Sequence, residues 1–435
     1  METEHKSEIS QIGTTMRDIC AEMQYRTPTA KRLIEALVFS ILTAEDTLIV
    51  GLHGVGKSRA VREMSALFPQ GSIFTTNCHE RMSAEELLGL PVIEARLKGE
   101  DVIKPKGLAV CRLGILEEML DLPDRTLRDA IIPASDTPVR KVSRGQFEMQ
   151  PLILDRLHNI WGTSNTYRLN DATMAVLNRI LFQIYVAPVM DASGQIAIAE
   201  AASLGLPQLK PFEEKQLEAI KKYTAVDNPE IVIPHYILRL KDIILTEISR
   251  ILFDSESGIK SERFPPCDIR SKQQAIKLLK AGALFEGRTI IQQNDLRVLK
   301  YFCLLAEYDT QVMNLIIGLV DNYISLVNAH SGEARQADII LASHELLQKR
   351  GLVNLYRRQD KKTEGIFSYI HIPEALRTYG LPRLSDLTLK LNSFTCDSPQ
   401  LERLRQETVR LAEGQKGELL ELEESHYQPK SIKHY

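Results

Sequence analysis

The sequence predicts an α/β protein: a parallel-sheet domain wrapped by helices comes first, a helical region follows, and a small α+β module closes the chain. Three observations carry this. Short apolar runs that end in turn or polar residues recur at 47–50, 71–77, 113–116, 158–165 and 182–186, the lengths and boundaries of buried strands. Between about 205 and 310 the apolar spacing changes to that of helices. Beyond 336 a helix is followed by two short strand-like runs around a charged turn. The expected division is 1–190, 205–310 and 311–435.

The first run leads directly into Gly51-Leu52-His53-Gly54-Val55-Gly56-Lys57-Ser58, and residues 59–67 then read as a helix. Strand, glycine-rich loop and helix in that order form a phosphate cradle. Gly51, Gly54 and Gly56 let the backbone turn its N–H groups inward, Lys57 reaches the outer phosphates, and the Ser58 hydroxyl serves magnesium. The expected nucleotide contacts are Gly51, Gly54, Val55, Gly56, Lys57, Ser58 and Arg59, with ATP and Mg2+ as the ligands.

Composition sets the outer limits. The chain has 435 residues, 44% hydrophobic and 26% charged, a length that calls for more than one core and a balance typical of globular proteins. A formal net charge of -3 argues against whole-surface attraction to nucleic acid. No apolar run reaches membrane-spanning length and residues 1–10 are polar, so a cytoplasmic protein is expected. Six scattered cysteines without a C-x-x-C pair read as reduced thiols.

In chain order, residues 14–45 read as a helix, with Ile34, Leu37, Val38 and Ile41 as its apolar stripe. Ser83-Ala84-Glu85-Glu86 has the form of a capping box opening a short helix. The run at 113–116 ends in Glu117-Glu118. Two carboxylates at the exit of a buried strand are costly unless they serve a cation or a reacting water, so this pair is the candidate metal ligand and general base. The run at 158–165 ends in Asn165, a hydrogen-bonding group. Helices are expected at 213–224, 234–252, 271–286, 294–308 and 312–327, with 254–266 a polar loop. A helix at 337–350 and strands at 352–357 and 366–372 resemble a winged helix whose wing carries Arg357, Arg358, Lys361 and Lys362. Such a module docks either a protein partner or a phosphate backbone. A charged helix is expected at 399–425.

Phosphate loop, strand-Glu-Glu, strand-Thr-Ser-Asn and Leu177-Asn178-Arg179, in that order, resemble the AAA+ ATPases, and within them the MoxR family, closest to its RavA-like branch. Further matches are 81–89, 175–186, Asp268-Ile269-Arg270-Ser271, 275–281 and 285–288, so the resemblance covers about 14–305. It implies that Glu117 helps hold magnesium, Glu118 polarises water, Asn165 is sensor 1, Arg179 is an arginine finger for a neighbouring subunit, and Arg270 is sensor 2 on a lid. It also implies a ring, most often a hexamer, which couples ATP hydrolysis to remodelling of a protein partner that includes a von Willebrand factor A-type protein. Two insertions, at about 81–107 and 138–151, would face the ring's pore with basic residues that include Arg140, Lys141 and Arg144. The sequence departs from that pattern at Glu117 and Asn178, where Asp is usual, and at Gly114 in the strand. The alternatives are a nucleic-acid-directed motor or loader, and a slowly hydrolysing nucleotide-gated scaffold.

Overall fold

The computed structural model describes residues 2–27, 30–91, 103–137, 139–142, 152–166, 170–188, 209–253, 269–308, 310–325, 336–337, 339–344, 346–347, 383–396 and 399–414. Two compact units emerge, one formed by 1–233 with 245–317 and the other by 234–244 with 318–435.

The first unit is built on five parallel strands in the order β2-β5-β8-β1-β9, where β1 is Thr47–Val50, β2 Ile73–Asn77, β5 Leu113–Glu117, β8 Asn159–Ser164 and β9 Phe182–Tyr185. The central strands β1 and β8 are buried along their whole length, which is why they read as unbroken apolar runs and not as alternation. Two antiparallel hairpins leave the sheet: β3 (Gly89–Pro91) with β4 (Ile103–Pro105), and β6 (Lys141–Val142) with β7 (Leu152–Ile153).

Helices cover the sheet. The expected single helix over 14–45 is two: α1, Glu2–Arg26, and α2, Lys31–Thr43. Pro28 stands between them, and the residue before a proline is driven out of the helical region. Starting at Glu2 lets α1 bury Ile9, Ile12, Met16, Ile19 and Met23. At Gly13 a Cβ would lie 2.5 Å from the Leu284 carbonyl oxygen, so only glycine permits that approach. Then follow α3, Lys57–Ser65; α4, Ala84–Leu88; and α5, Asp171–Leu177. Ser83 and Glu86 close the capping box at α4 as the sequence indicates, with Ser83 N–H donating to Glu86 Oε1 at 2.8 Å.

After α6 (Glu214–Thr224) and α7 (His235–Phe253) comes α8 (Ile269–Phe285), which buries Ala275, Leu278, Leu279, Ala281, Ala283 and Leu284. The next expected helix, 294–308, is a run of 3₁₀ turns over Gln293–Tyr308. Then α9 spans Thr310–Ser325. In the second unit every described position between 336 and 347 is helical, α10 covers Leu384–Asn392 and α11 Pro399–Glu413. Its interior gathers Ile340, Leu341, Leu347, Leu387, Leu391 and Leu401. His344 Nδ1 lies 3.1 Å from Thr408 Oγ1, and Arg405 caps the Leu391 carbonyl at 3.1 Å. The expected wing strands at 352–357 and 366–372 lie outside the described residues, as do the polar loop at 254–266 and the tips of both hairpins.

Candidate active site

The carboxyl ends of β5, β8 and β1 lie side by side, and in a parallel sheet that edge is where loops leave the core and can meet a ligand. Gly51 follows β1, Glu118 follows β5 and Asn165 follows β8. The loop from Gly51 to Gly56 turns through left-handed backbone at Gly54 (φ 81°) and Gly56 (φ 90°), with no atom within 4 Å of where a Cβ would stand at either. Gly56 is also the N-cap of α3. These are the open, side-chain-free turns that a phosphate cradle requires.

One chain of hydrogen bonds joins the three strand ends. The buried ammonium of Lys57 donates to the Leu52 carbonyl at 2.9 Å, to the Gly51 carbonyl, and to Asn165 Oδ1 at 2.8 Å. Asn165 in turn gives its backbone N–H to Glu118 Oε2 at 3.1 Å and its amide Nδ2 to Glu118 Oε1. Burial pushes the Lys57 pKa down, and the Glu118 charge pulls it back.

Glu118 has φ 55°, one of two non-glycine residues with positive φ among the described residues. Left-handed backbone costs an L-residue about 1 kcal/mol or more and persists only where the surroundings enforce it. The next residue, Met119, is buried and seats its thioether against Gly162, where a Cβ would lie 2.6 Å from the sulfur. Gly114 has a similar origin, since a Cβ there would stand 2.2 Å from Leu108 Cδ2. The glycine that reads as a weak point of the strand is the seat of a core leucine.

Ser58 is exposed in the first turn of α3, and Glu117 is half-buried at the end of β5. Val55 is half-buried in the loop. Arg59 is exposed and pairs with Glu63 at 2.9 Å. A hydroxyl and a carboxylate are the oxygen donors that magnesium takes, so this donor set fits that ion. Among the described residues no group of three or more His, Cys, Asp or Glu side chains could hold a metal by itself.

Arg179 and Arg270 are elsewhere. Arg179 lies between α5 and β9, at the amino edge of the sheet, and Arg270 lies in the first turn of α8. Both meet Asp136: Arg270 Nη2 donates to Oδ1 at 2.8 Å, and Arg179 Nε stands 3.9 Å from the same atom. Gln274 on α8 spans the Arg179 carbonyl, at 3.0 Å, and Glu45 Oε2, at 3.1 Å. Glu45 precedes β1 and Gly51 follows it, a separation of about 20 Å along the strand direction. The two arginines therefore sit together at the edge opposite Lys57, and Arg270 does not approach its own chain's phosphate loop. Arg179 Nε is buried without a hydrogen-bond partner, and burial followed by the Arg270 charge lowers the Arg179 pKa.

Arg140, expected to line a pore, is instead buried. It donates to both Asp46 oxygens, at 2.8 and 2.9 Å, and to the carbonyls of Ala134, Ala44 and His158. Lys141 is exposed on β6, and Arg144 lies outside the described residues. Asp136, Glu45 and Asp46 were not expected as part of any charged cluster. The signal for the last two is Glu45-Asp46 itself, two carboxylates directly before a buried strand, which need cations close by.

Residues 46–177 match the family model of an AAA domain of the dynein-related subfamily, and residues 242–317 match an AAA lid domain. The chain carries an AAA domain and its lid. A crystal structure of a candidate ATPase from Cytophaga hutchinsonii superposes with a TM-score of 0.53 at 15% identity, over 73% of this chain and 97% of that one. At that identity the likeness speaks for the AAA fold alone. No curated protein matches the chain. Among the described residues, no helix is long and apolar enough to cross a membrane.

Proposed function

We propose that this AAA protein is a magnesium-dependent ATP hydrolase whose catalytic sites are completed between copies of the chain. The Lys57–Asn165–Glu118 hydrogen-bond chain at the carboxyl edge of the sheet carries this reading. The loop N–H groups and Lys57 hold the phosphates, with Val55 and Arg59 flanking them. Ser58 and Glu117 would hold the magnesium, which would supply charge neutralisation of the phosphates. Glu118, kept in place by Asn165, accepts a proton from the attacking water, and Asn165 orients that water.

Charge on the transferred phosphoryl group still has to be met from outside the cradle. Arg179 and Arg270 share one carboxylate at the far edge of the same chain, which leaves positive charge over and a guanidinium N–H unpaired. Offered to the nucleotide of a neighbouring copy, the pair supplies that charge, so turnover depends on assembly. A closed ring, a hexamer by resemblance to MoxR and RavA-like proteins, satisfies this head-to-tail contact. The same resemblance assigns the work to remodelling of a protein partner, with a von Willebrand factor A-type protein among the partners. Burial of Arg140 removes one base from the hairpin field that would favour nucleic acid.

Mixing inactive variants tests the trans arrangement. Lys57→Ala is expected to lose nucleotide binding, whereas Glu118→Gln binds ATP without turning it over. Arg179→Ala alone is also inactive. Mixed in equal amounts, Glu118→Gln and Arg179→Ala restore about a quarter of wild-type interfaces, each with an intact base and a neighbour's intact finger. Activity that stays at the level of the separate variants, in mixtures shown to co-assemble, refutes the shared site.

A further inference from the structure

A cavity of about 380 Å³ lies near the amino edge of the sheet, enclosed by the segment before β1, the end of α6 and the start of α8. Its volume is in the range of small-molecule sites. Leu157, Ala225 and Val226 contribute apolar surface. The Ala225–Val226 wall is fixed by Lys280, whose ammonium donates to the carbonyls of Ala225, Val226 and Asn228 at 2.6, 3.0 and 2.6 Å.

The charges in the lining sort by partner. Arg140 is taken by Asp46, Lys277 by Glu45 at 2.6 Å, and Arg270 by Asp136. Two charges are left. Asp227 is exposed. Lys221 is half-buried and lines the cavity, with no carboxylate within ion-pair distance among the described residues. Its neighbour one helical turn back, Glu218, is held by Arg112 at 2.5 Å. Burial lowers the Lys221 pKa; Arg140, Lys277 and Arg112 add to that fall and Glu218 opposes it, so three cations act on its ammonium against one carboxylate, a field that favours an anion.

We propose that this cavity binds a small organic anion, one carboxylate or phosphate head on a compact apolar body, with the head on Lys221 and the body against Leu157 and Val226. The site lies at the opposite edge of the sheet from this chain's own phosphate loop, and it shares Arg270 with the proposed contact to a neighbouring copy. Because Arg270 and Gln274 of α8 also line the cavity, an occupant ties the lid helix to the base of β1.

The test uses the full chain carrying Lys57→Ala, so that the phosphate loop takes no part. Titration calorimetry with phenyl phosphate and with benzoate separates the two head groups, and at least one is expected to bind with a dissociation constant of millimolar or tighter. Adding Lys221→Met is expected to weaken that binding about tenfold or more, the worth of a charged hydrogen bond, whereas Lys221→Arg keeps it within about threefold. Circular dichroism checks that all variants fold. No binding of either probe, or binding as tight after Lys221→Met as before it, overturns the proposal. So does a Lys221→Met variant that changes oligomeric size and leaves probe binding intact, which assigns the cavity to a neighbouring copy.

Discussion

Arg140→Met should be among the most damaging single changes in the AAA domain although Arg140 bonds to none of Lys57, Glu118 and Asn165. The side chain is 5% exposed and its partner Asp46 1%, so neither charge has water to fall back on. Removing Arg140 strips two charge-assisted bonds from Asp46 and one donor each from the carbonyls of Ala44, Ala134 and His158. Breaking a buried pair from one side costs about 3–5 kcal/mol, because the surviving charge stays buried. Asp46 also accepts the Ile160 N–H at 2.7 Å, so its replacement should be Asn, which keeps an acceptor for that bond and removes the charge. In a double-mutant cycle read by urea denaturation, Arg140→Met/Asp46→Asn should be less destabilised than the sum of the single changes by about 1–3 kcal/mol. Additive losses, or a loss under about 1 kcal/mol for Arg140→Met alone, would refute the buried-pair argument and return Arg140 to a surface role.

Three further outcomes are expected. Glu117→Asp shortens the metal-side carboxylate by one methylene; steady-state ATPase rates decide whether the native residue slows turnover, and a complete loss of rate would instead place the metal around the longer acid and sink the scaffold alternative. Gly162→Ala pushes its Cβ against the Met119 thioether and should cost about 1–3 kcal/mol while lowering turnover, since Met119 follows Glu118; Met119→Ala in the same chain should recover part of both, and a stable variant of full activity would dismiss Met119 as the anchor. His158 is buried, donates from Nε2 to the Ile41 carbonyl at 2.8 Å, and burial lowers its pKa to about 3. Its folded value lies below its unfolded value, so its contribution to stability is complete above about pH 6.5 and is lost as pH falls toward 3, with a slope of about 1.4 kcal/mol per pH unit. His158→Gln should flatten the acid limb of a stability-versus-pH curve by one proton, and an unchanged limb would show that His158 is not the group titrating.

The parts of the site that are legible in the sequence are those whose geometry is local. A strand, a loop with glycine at 54 and 56, and Lys-Ser at a helix start encode their own shape within a dozen residues, and the Ser83–Glu86 box does so within four. Glu118 and Asn165 are visible because each is the polar stop of a buried strand. What stays hidden is decided across long separations. Arg140 is basic in a hairpin stretch and reads as exposed, and only Asp46, 94 residues away, draws it inside. The meeting of Arg179 and Arg270 on Asp136 depends on how α8 lies against the sheet, which no periodicity specifies. Gly114 reads as a weak point of its strand until the leucine filling its place is seen. The break between α1 and α2, by contrast, was available in Pro28.

The ammonium of Lys57 is spread over two loop carbonyls and the Asn165 amide oxygen. Under the proposed function, phosphate capture would be a substitution of ligands at nitrogen and not a simple gain, its net free energy the difference between two sets of oxygens. Whatever the incoming anion takes from Lys57, Asn165 loses, and the amide that loses it is the one gripping Glu118. Occupancy of the loop would thereby reach the carboxylate as a change in how tightly it is tethered, through one side chain.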